Sequence, residues 1–95
     1  MARIVVRMMG VAKEAAGTSE EALETSENAD ISTVLQTLIE EHGTSFRDAI
    51  LDPVTQTPVA TLILLNGVEI GNLQGLSTPI TDGDTLVLLS VTHGG

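Results

Sequence analysis

Residues 3–9, RIVVRMM, alternate in polarity: Ile4, Val6 and Met8 point one way, Arg3, Val5 and Arg7 the other. A period of two predicts a strand with one buried face. GVAKEAAG (10–17) predicts a short Ala-rich connection, about one helical turn, closed by Gly17. SEEALETSE (19–27) predicts an exposed strand antiparallel to the first, since so short a connection suits antiparallel neighbours. In DISTVLQTLIEEHG (30–43) the period changes. Ile31, Val34, Leu35, Leu38 and Ile39 fall at i, i+3, i+4, i+7 and i+8 and make one apolar helical stripe. Asp30 suits an N-cap, and Gly43 stands where a left-handed residue would end the helix. His42 sits in the last turn, where positive charge complements the helix dipole.

The second half reads as strands and turns. SFRDAILDPVTQTP (45–58) predicts a loop with a short helical piece, broken at Pro53 and Pro58. VATLILLNGVEI (59–70) is a buried strand running into Asn66-Gly67, a strong hairpin signal. GNLQGLSTPITDGD (71–84) is turn-rich, and TLVLLSV (85–91) is apolar on nearly every position. Such a run suits a central strand, or one whose second face meets a partner. The order strand, strand, helix, strand, strand gives an α+β fold of two layers: one domain over 1–91 and a tail over 92–95.

Composition narrows the function. The chain has 95 residues, enough for one modest core. Four Lys and Arg against thirteen Asp and Glu give a formal charge of −9, which repels phosphate backbones and favours a basic protein partner. Phe46 is the only aromatic, so a base-stacking platform is missing as well. Nucleic-acid binding is therefore not expected. No cysteine is present, which excludes disulfides, thiolate metal sites and a cysteine nucleophile. No apolar run reaches the roughly 18 residues of a membrane span, and the N-terminus lacks the pattern of a secretory signal. The cytoplasm is the expected compartment.

Catalytic motifs are absent. The two histidines, His42 and His93, have no ligand-spaced partners, so no metal site is expected. GVEIGNLQG has neither Walker spacing nor the strand–turn–helix setting of a dinucleotide site. The pairs Glu20–Glu21 and Glu40–Glu41 read as a solvated face.

One feature remains, the ending THGG. Two glycines without Cβ atoms let the backbone enter a narrow channel, and residues 92–95 extended would span roughly 13 Å. A carboxylate presented on such a tail suits activation as an acyl adenylate in another protein's site, where sulfur or an amine can attack it.

LNG, TPITDGD, the apolar last strand and the terminal HGG, together with AAGTSEE and the helix DISTVLQTLIEEHG, resemble the ubiquitin-like sulfur carriers in order and spacing. That family includes the molybdopterin synthase small subunit, the thiamine-pathway carrier, the small archaeal modifiers and the ubiquitin-related modifier. The resemblance implies the β-grasp (ubiquitin-like) fold, a mixed sheet packed on one main helix. It implies a carrier and modifier, not an enzyme, with no cofactor bound.

The same resemblance implies that a ubiquitin-activating-type enzyme, using ATP, adenylates Gly95, with Gly94 as the penultimate family glycine. A sulfurtransferase then yields a thiocarboxylate that serves tRNA thiolation, or the terminus is joined to target-protein lysines. The alternatives are a molybdopterin synthase small subunit docked on its large subunit and a plain interaction module with an incidental tail. Synthase subunits commonly end in a proline-containing tail, whereas LSVTHGG looks more like the ubiquitin-related modifier. Laid on ubiquitin's last strand, Leu86 and Leu88 take core positions and Val87 and Leu89 face outward. Val87, Leu89, Val91, Thr92 and His93 are the expected partner-binding residues, with Arg3 and Arg7 on the same outer face.

Overall fold

The N-terminal alternation becomes β1, Ala2–Gly10, in a computed structural model that describes residues 1–91. Ala2, Ile4, Val6 and Met8 are buried, while Arg3 and Arg7 are exposed. A short helix, α1 (Val11–Ala16), turns the chain, and β2 (Glu20–Thr25) returns antiparallel to β1 with Leu23 opposite Ile4. β2 is less exposed than its polar sequence suggests: Leu23 and Thr25 are buried.

The main helix, α2, runs Ile31–His42. Asp30 caps it, its Oδ1 accepting from the Thr33 N–H at 2.9 Å. Ile31, Val34, Leu35 and Leu38 are buried, as the apolar stripe requires. Gly43 departs from expectation. Its φ of 92° and ψ of −170° are not the left-handed helical pair; they redirect the chain at once into a further helix, α3 (Thr44–Ile50). That helix replaces most of the expected loop. Phe46 and Ile50 are both fully buried, so packing stabilises a segment too short to be helical by itself. Beyond it, Asp52 Oδ1 accepts from the Val54 and Thr55 N–H groups at 2.8 and 2.9 Å and holds the proline-containing turn.

β3 (Thr61–Leu65) and β4 (Val68–Glu69) form the hairpin. Asn66 and Gly67 have φ of 50° and 85°, the positive pair a type I′ turn requires. Short 3₁₀ turns at Ile70–Asn72 and Gly75–Ser77 lead to β5 (Thr85–Ser90). The sheet order is β2-β1-β5-β3-β4, with β5 parallel to β1 and antiparallel to β3. The most apolar strand thus lies at the centre of a mixed sheet. Its Leu86 and Leu88 are fully buried, each worth roughly 1.5–3 kcal/mol of burial. No helix among the described residues is long and apolar enough to cross a membrane.

Candidate functional site

Strand alternation divides β5. Leu86, Leu88 and Ser90 point into the core; Val87 and Leu89 face outward and are half-buried. The parallel register sets Arg7 beside Val87 and Met9 beside Leu89. The antiparallel register sets Leu64 and Leu62 on their other side. An apolar strip therefore crosses three strands of the outer face. Met9 and Leu62 are each 42% exposed, and Val91, just past the strand, is 55% exposed. Separately, none of these residues would be unusual; contiguous, they form a patch of the kind that proteins bind.

Arg7 borders the strip, and Arg3 lies further along the same face of β1. Arg7 Nε lies 3.8 Å from Glu20 Oε1 with both side chains exposed, a pair worth little against solvent screening. Arg3 is held through its backbone: its N–H donates to Asp82 Oδ1 at 2.8 Å and its carbonyl accepts from Gly83 at 2.8 Å.

The base of the strip is firmly anchored. Ser90 is fully buried, and its Oγ donates to the Ala49 carbonyl at 2.7 Å. The Val91 N–H donates to the Ala60 carbonyl at 2.9 Å. At the end of β1, Gly10 has φ of 69°, and a Cβ there would come within 2.0 Å of the Ser90 carbonyl oxygen. Only glycine allows that approach. Of the expected site residues, Val87 and Leu89 thus lie on the outer face of β5, and Val91 lies one residue past its end. Thr92, His93, Gly94 and Gly95 lie outside the described residues.

A second grouping was not legible in the sequence. Glu21 of β2 meets Glu41 and His42 at the end of α2. His42 Nε2 lies 2.8 Å from Glu21 Oε1 and 3.5 Å from Glu41 Oε2. The imidazole also rests on Phe46, with ring centroids 5.4 Å apart. A hydrogen bond with Glu21, then burial, then Glu21's charge push the Glu41 carboxyl above its ordinary 4.5, against the opposing effect of His42. His42 therefore does more than complement a helix dipole, and Glu21 and Glu41 are not merely a solvated face. Glutamates at 21 and 41 share no local spacing; only the docking of β2 beside the helix end unites them.

Comparison with known proteins adds three findings. The ThiS family profile matches residues 6–95. None of the curated proteins matches the chain by sequence. Solved structures match it over nearly their whole length. The crystal structure of small archaeal modifier protein 1 from H. volcanii superposes with a TM-score of 0.83 at 17% identity, covering 97% of this chain and 100% of that one. The solution structure of small archaeal modifier protein 1 from Methanosarcina acetivorans gives 0.77 at 28% identity, covering 100% and 98%. Urm1 from Trypanosoma brucei gives 0.80 at 24% identity, covering 98% and 95%. The architecture common to them is the ubiquitin-like β-grasp.

Proposed function

The chain belongs to the ThiS family of ubiquitin-like, non-catalytic sulfur carriers, and from that membership we propose that its working group is the carboxylate of Gly95. An adenylating enzyme of the ubiquitin-activating type docks on the outer strip through Val87, Leu89 and Val91, with Thr92 and His93 leading into its channel. Gly94 and Gly95 pass where a side chain would not fit. The Gly95 carboxylate oxygen attacks the α-phosphorus of ATP, and pyrophosphate leaves. The acyl adenylate is then attacked by sulfur from a sulfurtransferase, and AMP leaves. The resulting thiocarboxylate donates sulfur to tRNA, or the activated terminus forms an isopeptide bond with a target lysine. ATP belongs to the partner, and carriers of this family need no cofactor of their own. This chemistry belongs to the cytoplasm.

The observation that carries the reading is the family match through residue 95, which includes the glycine pair. Supporting it, the anchored strand that precedes the pair carries the apolar strip.

The test is mass spectrometry after incubation with an adenylating enzyme, ATP and a sulfur source. The protein should gain the mass difference between sulfur and oxygen, and deletion of Gly94 and Gly95 should abolish the gain. An unchanged mass beside an enzyme shown to be active on its own carrier would refute the proposal. Stable co-purification with a large synthase subunit, without conjugates, would identify a dedicated synthase subunit instead.

A further inference from the structure

The Glu21, Glu41 and His42 cluster is independent of the tail and of the outer strip. Its three donor atoms, one imidazole nitrogen and two carboxylate oxygens, all lie within 4.8 Å of one another. They come from two elements that the sequence separates by about 20 residues, and the fold brings them together before any ligand is involved.

Two further observations bear on what the cluster can hold. First, its negative charge has no fixed counter-charge: among the described residues, no Lys or Arg lies within ion-pairing distance of Glu21 or Glu41. Second, the site is partly withdrawn from water. The side chains of His42 and Glu21 are each 13% exposed, and Phe46 backs the imidazole. Glu41, whose side chain is 46% exposed, leaves the cluster open to solvent on one side.

We propose that Glu21, Glu41 and His42 bind one first-row divalent cation, with zinc as the probe, and that the ion staples edge strand β2 to the end of α2. The imidazole sets the class: carboxylates alone suit calcium or magnesium, whereas a nitrogen ligand favours zinc and its neighbours. Ligand atoms about 2.0–2.2 Å from a tetrahedral zinc are about 3.3–3.5 Å apart. The 3.5 Å between His42 Nε2 and Glu41 Oε2 already meets that figure. The 2.8 Å between His42 Nε2 and Glu21 Oε1 must open by about half an ångström, within the reach of a small side-chain rotation. Water supplies the fourth ligand. Metal ligands must be deprotonated, so binding weakens as pH falls. Its role is structural, and the sulfur chemistry proposed for the tail does not depend on it.

The test is isothermal titration of the full chain with zinc chloride at neutral pH, in excess magnesium to occupy the general acidic surface. One equivalent should bind, raise the melting temperature and be removed by a chelator. E21Q and H42Q, which keep the size of each side chain, should each weaken binding at least tenfold, and H93A should leave it unchanged. Circular dichroism of each variant checks that it is folded. In the proton NMR spectrum, zinc should shift the ring signals of His42 and not those of His93. The proposal is overturned if no saturable binding survives magnesium, if folded H42Q binds as well as the parent, or if H93A abolishes binding. The NMR shift on the unsubstituted chain decides the matter even if both ligand variants fail to fold.

Discussion

Asn66 and Asp84 clasp the β3–β4 turn to the start of β5. The Asn66 Nδ2 donates to Asp84 Oδ1 at 2.9 Å, while Asn66 Oδ1 accepts from the Thr85 N–H at 2.9 Å. Asp84 is buried, and its other oxygen accepts from the Thr81 N–H at 2.8 Å. Burial alone would raise this carboxyl above 3.8; the hydrogen bonds from Asn66 and Thr81 outweigh it and hold the group below that value. Because the folded value is depressed, the unfolded state binds the proton more readily. Asp84 therefore stabilises the fold above pH 3.8, and that contribution is lost as pH falls through the folded value. Asp84→Ala should cost about 1–3 kcal/mol at neutral pH, since it leaves buried donors without partners. In urea titrations the gap between parent and variant should narrow as the pH is taken below 3.8. A gap that stays constant into acid would show that the carboxylate's charge contributes nothing.

Gly10→Ala tests the junction of β1 and β5. The new methyl would meet the Ser90 carbonyl oxygen at 2.0 Å on a backbone with φ of 69°. Strain and clash together should cost about 2–5 kcal/mol. Gly17→Ala, also at positive φ but with open space around it, should cost only about 1–2 kcal/mol. Equal losses in chemical denaturation would mean that β1 separates from β5 without penalty.

Phe46→Ala should cost about 3–5 kcal/mol, because the only aromatic of the chain is fully buried on α3. Against the 5–15 kcal/mol that typically stabilises a domain, this is a large share. The chain has neither Trp nor Tyr, so the transition is best followed by far-ultraviolet circular dichroism. A loss under about 1 kcal/mol would mean that α3 contributes little to the core.

Val87→Asp separates docking from folding. The side chain faces outward, so the melting midpoint should stay close to that of the parent. If the proposed docking on the outer strip holds, adenylation by an activating enzyme should nevertheless fall about tenfold or more, as for truncation at the centre of an interface. Leu88→Asp, one residue on, places the charge in the core and should unfold the protein. Full activation of folded Val87→Asp would move the docking surface elsewhere.

β1 and α2 were legible because each carries a period that only one backbone geometry satisfies, two for β1 and 3.6 for Ile31 through Leu38; β3 and β5 were legible as apolar runs, and β2 from its short connection to β1. Asn66-Gly67 announced its turn through positive φ, and the cap at Asp30 through its carboxylate. The glycine pair at the end of the chain, and with it the resemblance to sulfur carriers, is likewise a property of the sequence alone.

Tertiary structure decided what depends on partners distant along the chain. α3 has too few residues to show a period, and Phe46 and Ile50 hold it helical only because a core receives them. Gly43 turns a corner and not a simple helix end because α3 must pack at once. The meeting of Glu21 with Glu41 and His42 follows from the docking of strand on helix, and the apolar strip from the registers of β1, β5 and β3. Local patterns record the geometry of one element. Which side chains meet between elements depends on long-range packing, and no spacing along the chain encodes it.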